Sequence, residues 1–275
     1  MAIFNAQRPE SVLFITLDSC RYDSFAAAKA KNLKAVGPLY RAMAPGNFTY
    51  ASHAAMFMGF TPGIADVAAP YVNPKFAKIF RMTGIGFSGK HSEHLALAGG
   101  NIIDGMKRLG YLAIGTGAVE WFNPARETSK TLVGDFDDFF YPGNTHSLSR
   151  QLAWINERLA GIDHDRPLFL FVNIGETHVP YYYNGAPWNR GYNPCIPFGT
   201  QNDAGECRRR QVACLEYVDG QLGALLSAFS ECTIFVCADH GDCWGEDGLW
   251  EHGIHHEKVY EVPLLFRLAG MHPLS

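Results

Sequence analysis

The segment Ala238-Asp239-His240-Gly241-Asp242 sets a carboxylate, an imidazole and a glycine at the end of Cys232-Thr233-Ile234-Phe235-Val236-Cys237, a short apolar, β-branched run that reads as a buried strand. Successive strand residues face opposite ways, but once the strand stops both side chains can turn onto one centre, and Gly241 permits the sharp exit. The pattern recurs twice: Val12-Leu13-Phe14-Ile15-Thr16-Leu17 runs into Asp18, and Leu168-Phe169-Leu170-Phe171-Val172-Asn173-Ile174 runs into Glu176 and His178. A charge at the end of an apolar strand is costly unless it is paired or held against a cation. In open α/β sheets, ligands bind beyond the carboxyl ends of the strands. Buried strands that deliver Asp, Glu with His, and Asp with His to one edge have the layout of an oxygen-and-nitrogen metal site.

Each candidate also has a plainer reading. Asp18 alone could cap a helix. Thr49 stands at or just before a short helical run, Ser52-His53-Ala54-Ala55-Met56-Phe57-Met58, ended by Gly59. The positive end of such a helix stabilises an oxyanion and a bound phosphate or sulfate. Ser52 is an equal candidate on composition, and a simple N-cap is the alternative for both. His53 reads as a supporting or structural residue. His178 is open between metal ligand, substrate contact and satisfied loop histidine. His252, in Trp250-Glu251-His252-Gly253, marks another turn at the site edge, whereas the adjacent His255 and His256 cannot both face one centre.

The elements that must position these residues alternate in type. Helices are expected over Tyr22 to Tyr40, Asn101 to Leu109, from Leu148 along the stripe Leu152, Ile155 and Leu159, and along Val212, Leu215, Val218, Leu222 and Leu225. Further strands are expected at Tyr111 to Gly115 and Val262 to Phe266, and long loops at 66–100 and 181–205. Such alternation predicts an α/β protein with a mostly parallel sheet and helices on both faces, as one domain spanning residues 1–275. The net charge of −4 gives no basic footprint for nucleic acid. Arg208-Arg209-Arg210 is the one dense basic run, and a solvated helix start explains it as well as an anion site does. No run approaches the length of a membrane span, and the first ten residues lack a signal peptide's apolar core. The seven cysteines form no Cys-x-x-Cys pair and lie mostly beside apolar segments, so free thiols in the cytoplasm are expected, with Cys195 and Cys207 the one pair that could join.

Five segments in order resemble the sulfatase and alkaline-phosphatase superfamily over nearly the whole chain. They are Leu17-Asp18-Ser19-Cys20-Arg21-Tyr22-Asp23, Phe48-Thr49-Tyr50-Ala51-Ser52-His53 through Gly59, Tyr217-Val218-Asp219-Gly220-Gln221-Leu222-Gly223, Asp239 through Gly245-Glu246-Asp247-Gly248 to His252-Gly253, and Val262-Pro263-Leu264-Leu265. The resemblance implies an alkaline-phosphatase-like three-layer sandwich, with Asp18 binding metal and Thr49 in the nucleophile's place. Ala51 replaces the usual proline of that segment, and Ser52 falls on a serine that supports the turn. The segment after Asp239 is similar to the branch that includes phosphoethanolamine and phosphoglycerol transferases. No cysteine has the context from which sulfatases generate formylglycine, and Ser19 stands where they carry a second acid. The smaller C-terminal subdomain of sulfatases and the membrane anchor of the transferases are expected to be absent.

The combined expectation is a metal-dependent hydrolase or phosphotransferase acting on a small anionic ester: a phosphate ester, phosphodiester or phosphonate. Asp18, Thr49, Asp239 and His240 would hold one divalent ion, and Thr49 would attack. His178 and His252 would hold the substrate's oxyanion, protonate the leaving group or, with Glu176, complete a second metal site. A mixed oxygen and imidazole set suits zinc or manganese better than calcium. The alternatives are a sulfatase working through Thr49 without formylglycine, and a metal-binding partner protein without turnover.

Overall fold

In the computed structural model, residues 8–59, 100–162 and 165–270 are described. Apolar, β-branched runs form the centre of the sheet: β1 (Val12–Leu17), flanked by β5 (Leu168–Ile174) and β6 (Thr233–Ala238). Four further strands extend it: β2 (Tyr40–Met43), β3 (Leu112–Gly117), β4 (Asp138–Phe140) and β9 (Glu261–Arg267). The order is β2-β9-β6-β1-β5-β3-β4. β4, β3, β5, β1 and β6 run parallel, and β9 lies antiparallel to both β6 and β2. A separate small hairpin pairs β7 (Cys243–Trp244) with β8 (Trp250–Glu251).

The register decides where the chemistry lands. Leu17 faces Ile174 of β5 on one side and Ala238 of β6 on the other. The residues that follow, Asp18, Gly175 and Asp239, therefore leave the sheet side by side. Side chains alternate between two helical layers. Leu13, Ile15 and Leu17 pack on α1 (Tyr22–Ala27), α2 (Lys31–Lys34), α6 (Leu148–Gly161) and α7 (Ala204–Ala228). Val12 and Phe14 face α3 (Thr49–Met58), α4 (Ile102–Arg108) and α5 (Glu127–Val133) through an aromatic cluster built on Phe57, Phe122, Phe169 and Phe171. The expected three-layer α/β sandwich is borne out.

One expected helix divides. Residues 22–40 form α1, then α2, then the edge strand β2. The break falls at Ala28, which is extended (φ −66°, ψ 145°) and buried, as is Ala30. It is held from outside: Asp219 on α7 accepts the Leu33 amide at 2.8 Å and the Asn32 side chain at 3.0 Å. A buried carboxylate supplied by a distant helix thus outweighs the local helix preference of an Ala- and Lys-rich run. The expected loop at 66–100 lies, but for Gly100, outside the described residues; the loop from Tyr181 is found as such and ends at Asp203, whose carboxylate caps α7 by accepting the Glu206 amide at 3.0 Å. Among the described residues no helix is long and apolar enough to cross a membrane.

Candidate functional site

Asp18, Asp239 and His240 meet at the carboxyl ends of β1 and β6, with all three side chains fully buried and their ligand atoms within 4.8 Å of one another. Thr49, the first residue of α3, reaches the same point: its Oγ1 lies 3.4 and 3.5 Å from the two Asp18 oxygens and 3.3 Å from His240 Nε2. Helix α3 thus aims its positive end at this centre. Ser52 lies one turn further in, and its hydroxyl has no hydrogen-bond partner.

The surroundings hold each ligand-like atom in place. Asn173 donates to Asp18 Oδ2 at 3.1 Å, and Ser19, whose φ is 58°, donates its amide to Asp239 Oδ1 at 3.1 Å. His240 Nδ1–H donates to the Gly241 carbonyl at 3.0 Å, which leaves Nε2 with a bare lone pair facing Thr49 and Asp18. His53 supports α3 from behind: its Nδ1–H donates to the Thr49 carbonyl at 2.8 Å, and its Nε2 accepts from Thr16 at 2.9 Å. Gln211 on α7 ties the loops together by donating to the carbonyls of Ser19 and Thr177, while Thr177 donates to the Asp18 carbonyl. Gly241 is required by close approach, since a Cβ there would run into the Lys258 carbonyl.

Electrostatically, the cluster lacks a positive charge. Burial and then the neighbouring Asp239 push the Asp18 carboxyl above its usual range, and burial lifts Asp239 to about 7. Burial also drops His240 to about 3, so it is a neutral imidazole. Asp239 Oδ2 is buried and accepts no hydrogen bond. Two packed carboxylates, one with an orphaned oxygen, beside a bare imidazole nitrogen make a donor set that fits a divalent cation.

A second group adjoins the first. His240, Asp242 and His252 also lie within 4.8 Å of one another, and the His252 ring sits 4.4 Å from that of His240 and 5.2 Å from that of His178. Burial disfavours charge on His252, yet its 2.7 Å contact with the Asp242 carboxylate raises it to about 9. His178 donates Nδ1–H to the Val179 carbonyl, leaving its Nε2 free of that bond. Asp242 stands in the singled-out Asp-His-Gly-Asp run but went unassigned from sequence, because its partner His252 follows ten residues later.

Glu176 is not brought to either group. It is turned under α6, where Oε1 accepts the Leu148 amide at 2.8 Å, and burial raises it to about 7. The side chain of Ser147 at the N-cap makes no capping hydrogen bond, so the first turn of α6 takes its acceptor from Glu176 instead. The basic run is also accounted for: Arg210 is buried and donates to Glu206 and to the carbonyls of Pro180 and Tyr192, fastening the 181–203 loop to α7. All seven cysteines are free and buried; Cys195 and Cys207 each donate to a carbonyl, those of Cys243 and Pro194.

Comparison with known proteins gives this arrangement a context. The choline-sulfatase of Rhizobium meliloti (strain 1021) is 31% identical over 80 residues, which is 27% of this chain and only 16% of that protein. The C-terminal periplasmic domain of the phosphoethanolamine transferase EptC from Campylobacter jejuni superposes with a TM-score of 0.64, covering 96% of this chain and 80% of that one at 14% identity. The phosphonate monoester hydrolase of Agrobacterium radiobacter does so with a TM-score of 0.58, covering 94% and 68% at 16% identity. At these identities the likeness is one of fold. The Campylobacter domain overturns the cytoplasmic expectation: the same fold stands there in the periplasm, and thiols sealed in a core stay reduced by burial, so they do not report a compartment. The Sulfatase family model matches residues 11–273, nearly the whole chain, and the chain belongs to the sulfatase family.

Proposed function

We propose that this protein cleaves or transfers a phosphoryl group of a phosphate ester, phosphodiester or phosphonate, with Thr49 as nucleophile and one divalent cation, zinc or manganese, held by Asp18, Asp239, His240 and the Thr49 oxygen. The observation that carries this reading is the position of Thr49 Oγ1, at the N-terminus of α3 and 3.3 to 3.5 Å from Asp18 and His240. The cation, when bound, lowers the pKa of the Thr49 hydroxyl and offsets charge on the phosphoryl oxygens. The chain's own groups do the rest. Asp18 accepts the Thr49 hydrogen bond and so marks where its proton goes. The peptide N–H groups of the first turn of α3 stabilise the phosphorylated Thr49. His252, held protonated, gives its proton to the leaving oxygen, and His178 beside it binds the substrate's oxyanion. Water or an acceptor hydroxyl then takes the phosphoryl group from Thr49.

The names of the similar proteins support this class: one transfers phosphoethanolamine and one hydrolyses phosphonate monoesters. A sulfate ester is the second reading, favoured by the stretch shared with a choline-sulfatase. The test is mass spectrometry of protein quenched during turnover of aryl phosphate, phosphodiester and sulfate esters with added zinc or manganese. A phosphoryl adduct on Thr49 is expected. A sulfuryl adduct there would select the second reading, and an adduct on Ser52 or on no residue would refute the assignment of the nucleophile.

A further inference from the structure

We propose that Asp242 and Tyr181 are positioning residues that fix the ring of His252 with its Nδ1 proton turned inward, so that Nε2 is the nitrogen presented to the leaving oxygen. The inference rests on the reading of His252 as proton donor, and its polarity begins at Trp244. An indole N–H can only donate, and that of Trp244 lies 2.8 Å from the Tyr181 hydroxyl oxygen. The Tyr181 hydrogen is therefore free to go to Asp242 Oδ2, 2.7 Å away. The other carboxylate oxygen, Oδ1, stands 2.7 Å from His252 Nδ1, and a carboxylate only accepts, so Nδ1 is the donor. Each group in the chain thus has one possible role.

The chain is buried up to His252 and held from several sides. Tyr181 and Asp242 are fully buried, and Trp244 is nearly so. Arg21, the N-cap residue of α1, stacks over the Trp244 ring at 4.1 Å and donates to the Asp242 carbonyl. Tyr181 sits at φ 55°, a left-handed conformation unfavourable for an aromatic residue, and its carbonyl is fastened by the Trp188 indole at 2.9 Å. Both oxygens of Asp242 are engaged, one by the Tyr181 hydroxyl and the other by His252, so the carboxylate ties the ring to the buried end of the chain.

In the step this arrangement serves, the bond from Thr49 Oγ1 to phosphorus forms as the bond to the leaving oxygen breaks. The electron pair of the broken bond stays on that oxygen, which takes the Nε2 proton of His252. The ring, now neutral, keeps its Nδ1–H on Asp242. When water attacks the adduct, the bond from phosphorus to Thr49 Oγ1 breaks, Thr49 regains the proton held by Asp18, and one proton of the water returns to Nε2.

The test uses Asp242→Asn and Tyr181→Phe in the full chain, supplied with zinc. For aryl phosphate esters of graded leaving-group acidity, Asp242→Asn should cost about 100-fold or more in kcat/KM for the poorest leaving phenols. The same variant should cost less than about 10-fold for nitrophenol, which needs little protonation. Tyr181→Phe should give the same trend at about a 3- to 10-fold scale, the worth of one hydrogen bond. Independently of turnover, nitrogen NMR of histidine-labelled protein should show His252 with a protonated Nδ1, and Asp242→Asn should shift the proton toward Nε2, because the asparagine amide can donate to Nδ1. Equal losses for all leaving groups, a loss of bound zinc matching the loss of activity, or an unchanged His252 signal would each overturn the inference. If instead Thr49→Ala remained active, the parent reading would fall while the NMR result still judged the orientation.

Discussion

Asp239 has one oxygen on the Ser19 amide and one, Oδ2, without a hydrogen bond in a fully buried pocket, an imbalance that a single-residue change exposes. Asp239→Ala removes a negative donor that no neighbour replaces, so zinc affinity should fall by about 100-fold or more, read by competitive titration with a chelating dye. Thr49→Ala should keep the fold and lose turnover on the order of 1000-fold or more, whereas Thr49→Ser should keep a measurable part, since only the methyl that fixes the rotamer is lost. Rates and circular dichroism of the two variants check this together. Asp18, Thr49, Asp239 and His240 were legible in the sequence because each ends an apolar strand or opens a helix beside a turn. Asp242 and Tyr181 were not, because the hydrogen bond joining them spans 61 positions and neither residue type is unusual where it stands. Glu176 misled for the same reason in reverse: its place at a strand end suggested the site, but the helix needing its oxygen begins 28 positions earlier.

At the scale of elements, Glu176 becomes the acceptor that starts α6, and its carboxyl is raised to about 7 by burial. A carboxyl raised in the fold favours the protonated form, so its contribution is complete below about 4.5 and is lost as pH rises through 7. Glu176→Gln keeps an oxygen for the Leu148 amide without the charge. The variant should match the wild type near pH 4.5 and exceed it by up to about 3 kcal/mol at pH 8, measured by urea unfolding at both pH values. Gly241→Ala tests the exit from β6: the added Cβ meets the Lys258 carbonyl, and roughly 1–3 kcal/mol of stability should be lost with zinc affinity. Most elements could be read from periodicity, as α4, α6 and α7 show. The exceptions depend on contacts the local pattern cannot carry. The split between α1 and α2 is imposed by Asp219 from another helix, and β2 is a short, largely exposed edge strand lacking the apolar alternation that marks a buried one.

For the molecule as a whole, two carboxyls raised by burial carry an electrostatic cost that a bound cation would offset. Adding zinc to chelator-treated protein should stabilise it by about 2.7 kcal/mol at a hundredfold excess over the dissociation constant, seen as a rise of several degrees in Tm. Asp239→Ala should largely abolish that rise. The seven buried thiols should be silent to a thiol reagent in the native protein and should all react once it is unfolded, an outcome independent of where the protein resides. The register that sets Leu17 between Ile174 and Ala238 also has a consequence in time. Strand β1 is synthesised before both of its central neighbours, and one of them is not complete until residue 238, so the middle of the sheet must wait for a partner more than 200 positions away. A cation held as proposed by Asp18, Asp239 and His240 would therefore be captured late on the folding path, as a seal on a finished sheet rather than a seed for it.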